Sequence, residues 1–129
     1  MEVILKILII DDERAILKMY AEQMTHMGIE ALTAPDGPTG LRLAAEDKPD
    51  IILLDIIMPR LNGLDVLAQL KEDQETRNIP VFLLTNLPEE CSGEKARELG
   101  AAGYFVKAQY DPDKIIEKVR NFRPNSAIG

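Results

Sequence analysis

Apolar positions along the chain follow two patterns that alternate from one end to the other. One is a short unbroken apolar run; the other is a longer stretch with apolar residues three or four apart. The first marks a strand covered on both faces, the second a helix with one buried stripe. Lys6 to Ile10 is the first run, ended by Asp11-Asp12-Glu13. From Arg14 to Met27 the period changes: Leu17, Tyr20, Met24 and Met27 share one side, and Gly28 closes the helix. Glu30 to Ala34 is a weaker strand whose charged start suits a sheet edge. Pro35-Asp36-Gly37-Pro38 is a turn into a helix that carries Leu41, Ala44 and Ala45 inward.

The third run, Ile51-Ile52-Leu53-Leu54, leads straight into Asp55, and Met58-Pro59 stops the pairing because proline has no N–H to donate. Arg60-Leu61-Asn62-Gly63 turns into a helix with Leu64, Leu67 and Leu70 as its stripe. Val81 to Leu84 is another buried strand, ending at Thr85. A helix is expected from Ser92 to Leu99, stopped by Gly100. Tyr104-Phe105-Val106 is a short fifth strand ending at Lys107. Asp111-Pro112 opens a last helix, as N-cap and N1, with Ile115, Ile116, Val119 and Phe122 inward.

Five strands alternating with five helices predict an α/β fold, a doubly wound (βα)5 flavodoxin-like three-layer sandwich. Its parallel sheet has the expected order 2-1-3-4-5. One domain is expected over 1–122, with 123–129 as a flexible tail. The chain ends just past the fifth helix, which fits a stand-alone protein or one separated from a further domain.

Composition narrows the function. Of 129 residues, 46% are hydrophobic and 29% charged, ordinary for a soluble globule, and the net charge is −7. An acidic balance argues against nucleic acid or an anionic membrane as direct partner. The apolar start is too short to span a bilayer and, split by Lys6, is no secretory signal. A single cysteine, Cys91, excludes an internal disulfide and fits a reducing cytoplasm. With one histidine and one cysteine, a metal here needs oxygen ligands, which favours Mg²⁺, Mn²⁺ or Ca²⁺.

In a parallel sheet the residues that end each strand meet on one edge. Asp11, Asp12, Asp55, Thr85 and Lys107 therefore converge. Carboxylates about 5 Å apart repel by roughly 3 kcal/mol per pair at an effective dielectric near 20. A hard dication removes that conflict and shares oxygens with a phosphate. Lys107 and Thr85 suit non-bridging phosphoryl oxygens, and Asp55, being central, is the candidate nucleophile on phosphorus. Asp11 and Asp12 are placed to hold the metal.

The motifs Ile9-Ile10-Asp11-Asp12-Glu13, Leu54-Asp55-Ile56-Ile57-Met58-Pro59, Asn62-Gly63, Leu84-Thr85 and Gly103-Tyr104-Phe105-Val106-Lys107 stand in one order over nearly the whole chain. In that set the chain resembles a response-regulator receiver domain of two-component signalling, similar to chemotaxis regulators. The resemblance implies that Asp55 accepts a phosphoryl group from a sensor histidine kinase or phosphotransfer protein. It implies Mg²⁺ on Asp12, Asp55 and the backbone carbonyl of Ile57, with Asp11 acting through water. Lys107 and Thr85 would contact the phosphoryl oxygens; Thr85 would move toward them and Tyr104 turn inward. The surface of the fourth helix, fifth strand and fifth helix would then change for a downstream effector domain or protein. No external substrate would be turned over.

Two positions depart from the family pattern. Asn86 stands where a small residue is usual, and Ala108 where proline, often cis, is usual. Without proline a cis bond costs roughly 2.5–4 kcal/mol, so Lys107–Ala108 is expected to be trans, with the following loop rearranged. Ile57 and Leu87 occupy positions that tune self-dephosphorylation, and neither can orient an attacking water. Two other functions compete: a phosphorylation-independent interaction module, and a Mg²⁺-dependent phosphatase with an aspartyl nucleophile. The phosphatase would carry an acid two residues past Asp55, where Ile57 stands. A homodimer is possible, although Gly100-Ala101-Ala102-Gly103 lacks the acid pair that one receiver class uses to dimerise. The plainer readings are solvated loop carboxylates for the acids, an exposed helix residue for His26, packing for Met19, Met24 and Met27, an incidental thiol in a polar loop for Cys91, and turn chemistry for Asp36-Gly37.

Overall fold

A computed structural model of the chain describes residues 4–122. The expected tail, 123–129, lies outside the described residues. The order is β1 (Lys6–Ile10), α1 (Arg14–His26), β2 (Glu30–Ala34), α2 (Gly37–Asp47), β3 (Ile51–Leu54), α3 (Gly63–Glu72), β4 (Val81–Thr85), α4 (Glu89–Glu98), β5 (Gly103–Val106) and α5 (Pro112–Arg120). A 3₁₀ turn, Lys107–Gln109, joins β5 to α5. The strands form one sheet in the order β2-β1-β3-β4-β5, every neighbouring pair parallel, as expected.

Each central strand buries both faces because alternate side chains serve two cores. Leu8, Ile10, Ile52, Leu54, Val81 and Leu83 pack with Ala44, Val66, Leu67, Leu70 and Ala96 from α2, α3 and α4. Ile7, Ile9, Ile51, Leu53, Phe82 and Leu84 pack with Leu17, Tyr20, Met24, Ile115, Ile116 and Val119 from α1 and α5. Gly28 (φ +80°) and Gly100 (φ +99°) take the left-handed conformation that ends α1 and α4.

Four local expectations are corrected. The fourth helix begins at Glu89, three residues before Ser92, so Cys91 lies exposed on a helix instead of in a loop. Pro88 sits at its N-cap, and Glu89 and Glu90 fill a first turn where the helix dipole favours acids. On α2 it is Gly37, Gly40 and Ala44 that are buried, with Leu41 packed against the core and Ala45 only half-buried. On α3 Val66 is buried along with Leu67 and Leu70, while Leu64 sits at the rim. Asp36 is a true N-cap, its Oδ1 accepting from the Thr39 N–H at 2.8 Å, whereas Asp111 holds the N-cap position without a side-chain bond. His26 is exposed, and the described residues contain no cis peptide, Lys107–Ala108 included.

Candidate functional site

Strand register builds the site. Ile10 pairs with Leu54, so the residues that follow, Asp11 and Asp55, emerge side by side; the Asp55 N–H donates to the Ile10 carbonyl at 3.0 Å. β4 extends to Thr85, which is opposite Val106, and Lys107 follows. Carboxylate oxygens of Asp11, Asp12 and Asp55 lie within 4.8 Å of one another. All five residues expected at one rim thus occupy it. A cleft of about 290 Å³ is lined by Asp12, Glu13, Asp55, Ile57, Thr85, Asn86 and Lys107.

Lys107 holds the acids together. Its Nζ donates to Asp11 Oδ2 at 2.6 Å and Asp55 Oδ2 at 3.2 Å, with Glu13 Oε1 at 3.8 Å. Asp11 is 1% exposed and Asp55 6%, while Asp12 faces solvent. Burial raises the Asp11 carboxyl above its ordinary value, with the Lys107 bond and the Glu13 N–H opposing it. For Lys107, burial favours the neutral amine, but the Asp11 hydrogen bond and the charges of Asp55 and Asp11 outweigh it and raise the group. The ammonium therefore stays charged at neutral pH.

The Asp55 carboxylate is fixed from both sides: the Ile56 N–H donates to Oδ1 at 2.7 Å and Lys107 to Oδ2. The Ile57 side chain is 60% exposed at the cleft mouth. Thr85 is fully buried, and its Oγ1 accepts from the Leu87 N–H at 3.3 Å. Tyr104, half-buried, donates through its hydroxyl to the Leu87 carbonyl at 2.9 Å. Thr85 and Tyr104 thus grip the same residue of the β4–α4 loop, one by its N–H and the other by its C=O. Sequence reasoning missed that link. It also missed Glu13 as a third acid near Lys107, and Tyr20, buried on α1, whose phenol is pushed up to about 12 by burial and the Asp11 charge. The run Asp11-Asp12-Glu13 was the available signal for Glu13; nothing in the sequence tied Leu87 to Tyr104.

The donor set is all oxygen and strongly anionic, three carboxylates against one ammonium, and it fits a hard dication. Repulsion between two carboxylates at 4.8 Å is about 3.5 kcal/mol at an effective dielectric near 20.

Comparisons with known proteins bear on the family and the fold. The family model described as "Response regulator receiver domain" matches residues 7–120. The response regulator PleD of Caulobacter vibrioides is 42% identical over 116 residues, which are 90% of this chain and 25% of PleD, so the chain spans only a quarter of that relative. Protein PilH of Pseudomonas aeruginosa is 36% identical over 114 residues, 88% of this chain and 93% of PilH. Among solved structures, the chemotaxis protein CheY4 of Vibrio cholerae superposes with a TM-score of 0.85 at 24% identity, covering 92% of this chain and 98% of that one; the likeness is one of fold.

Proposed function

The chain belongs to the response regulator receiver family, and on that premise we propose that Asp55 is its phosphoacceptor and that phosphorylation there resets the surface of α4, β5 and α5. A carboxylate oxygen of Asp55 attacks the phosphorus of a phosphohistidine on a sensor kinase or phosphotransfer protein. The new P–O bond forms as the P–N bond breaks, and the electron pair returns to the imidazole. The observation that carries this reading is the Lys107 ammonium bridging two nearly buried carboxylates at 2.6 and 3.2 Å. It leaves a fixed positive charge where phosphoryl oxygens would collect negative charge.

Asp12, Asp55 and the Ile57 carbonyl would hold Mg²⁺, with Asp11 behind through water. Bound there, the ion relieves carboxylate repulsion and neutralises phosphoryl charge. Phosphorylation replaces the single carboxylate charge with a phosphoryl group that carries about −2 and three acceptor oxygens. Lys107 and Thr85 turn toward those oxygens. For Thr85 this means releasing the Leu87 N–H, and for Tyr104, turning inward, releasing the Leu87 carbonyl. Each such bond is worth about 1 kcal/mol net, which charge-assisted bonds to phosphate exceed. The switch then serves a downstream effector domain or protein in the cytoplasm, without turnover of an external substrate.

Exposure to acetyl phosphate with Mg²⁺, followed by intact mass, tests the proposal. One phosphoryl adduct is expected, lost in Asp55→Asn and lost with a chelator. No adduct on the native chain would favour a phosphorylation-independent module. Catalytic turnover of a small phosphoester would favour a phosphatase.

A further inference from the structure

We propose that Gly63 is a positioning residue for Asp55: the missing side chain lets the start of α3 abut the Asp55–Ile56 peptide and fix the angle of the carboxylate. This rests on the reading of Asp55 as phosphoacceptor and adds a determinant of how fast it reacts. A Cβ built at Gly63 falls 2.0 Å from the Asp55 carbonyl oxygen and 2.7 Å from the Ile56 Cα. Both are backbone atoms, so no side-chain rotation relieves the overlap. Other close glycines differ. The Cβ at Gly93 meets the Glu89 side chain at 2.6 Å, and at Gly40 that of Ile10 at 2.4 Å, so both overlaps are with side chains and not with backbone.

The contact controls the carboxylate through one peptide. The Gly63 N–H donates to the Ile56 carbonyl at 2.8 Å, and the Ile56 N–H donates to Asp55 Oδ1 at 2.7 Å. The Ile56 residue is therefore clamped between the helix start and the reacting side chain. Asn62, the N-cap, anchors the helix end by accepting from the Asp65 N–H at 3.1 Å. The chain from Asp55 to Gly63 closes a loop whose two ends touch. Adding a methyl group must push them apart by about 1 Å to restore an allowed contact, and a displacement of about 1 Å at a reacting group costs about 100-fold in rate.

The test compares Gly63→Ala with Leu70→Ala, which loosens the far end of the same helix from a fully buried position. Phosphorylation by acetyl phosphate at saturating Mg²⁺ is followed by intact mass, at a temperature where circular dichroism shows the native chain and both variants folded. Calorimetry on the unphosphorylated chains measures Mg²⁺ affinity in parallel. Gly63→Ala is expected to react about 100-fold more slowly and to bind Mg²⁺ more weakly, while Leu70→Ala matches the native chain in both. A native rate in Gly63→Ala, or equal slowing in both variants, overturns the proposal. If Gly63→Ala does not fold, Asn62→Ala carries the test, since it frays the same helix start without adding atoms: a slowed rate supports the proposal and a native rate overturns it. A native chain that takes no phosphoryl group overturns the Asp55 reading and this inference with it, whereas a reactive native chain with an unaffected glycine variant overturns this inference alone.

Discussion

Replacing Lys107 by methionine keeps the length of the side chain and removes the cation that, among the described residues, bridges Asp11 and Asp55. In metal-free buffer the gross attraction lost is about 6 kcal/mol at 2.6 Å and about 5 kcal/mol at 3.2 Å, taking an effective dielectric near 20. Desolvation of the ammonium, whose side chain is only 10% exposed, cancels much of this. A second bound comes from Asp11, 1% exposed and left, among the described residues, with the Glu13 N–H at 2.9 Å as its hydrogen-bond partner. If the orphaned carboxylate becomes intolerable it takes up a proton, and from its ordinary value of 3.8 that costs about 4.4 kcal/mol at pH 7. The expected loss on unfolding by urea is therefore about 2–4 kcal/mol. Saturating Mg²⁺ should recover most of it, because a dication at the same carboxylates replaces the missing charge. A loss under about 1 kcal/mol, or one that Mg²⁺ leaves unchanged, would refute the view of Lys107 as the charge that holds the site together.

Asp36→Ala should cost about 1 kcal/mol of stability by removing an N-cap, and its pH dependence has a definite sign. The Thr39 N–H bond holds the Asp36 carboxyl below 3.8, so the contribution is full above that pH and disappears as pH falls through the lower folded value. The gap between native and variant urea midpoints should then be constant from pH 7 to 5 and close below 3.8; a gap that widens in acid would contradict it. Tyr104→Phe should lower stability by about 1 kcal/mol and speed amide exchange in the β4–α4 loop, since Leu87 loses the partner of its carbonyl; unchanged exchange would show that the bond holds nothing. With Ile57 apolar in the cleft and Leu87 apolar and packed against the core, the phosphorylated chain should survive for hours at neutral pH, and disappearance of the adduct within minutes would count against that reasoning.

Most of the fold could be read from periodicity because the central strands β1, β3 and β4 are buried on both faces. Ile7 to Ile10 and Ile51 to Leu54 have no polar position, and each run ends at an acid, Asp11 or Asp55. The rim followed from topology, since parallel strands put Asp11, Asp55, Thr85 and Lys107 on one edge whatever the loops do. What stayed hidden depends on distances between elements. The start of α4 was obscured because Pro88 and two glutamates resemble a polar loop until the helix dipole is counted. The inner face of α2 was misjudged because Gly37 and Gly40, which carry no apolar signal, make the closest approach to the core. The tighter pairing of Lys107 with Asp11 than with Asp55, and the shared grip of Thr85 and Tyr104 on Leu87, are products of packing that no residue pattern encodes.

The central claim is that one side chain, that of Asp55, carries the phosphoryl group. Borohydride reduces an acyl phosphate to the alcohol, so the modified residue can be located by peptide mapping after phosphorylation by acetyl phosphate and Mg²⁺. Homoserine at position 55, with Asp11 and Asp12 intact, is the result expected. Homoserine at either neighbouring acid, or at none of the three, would contradict it.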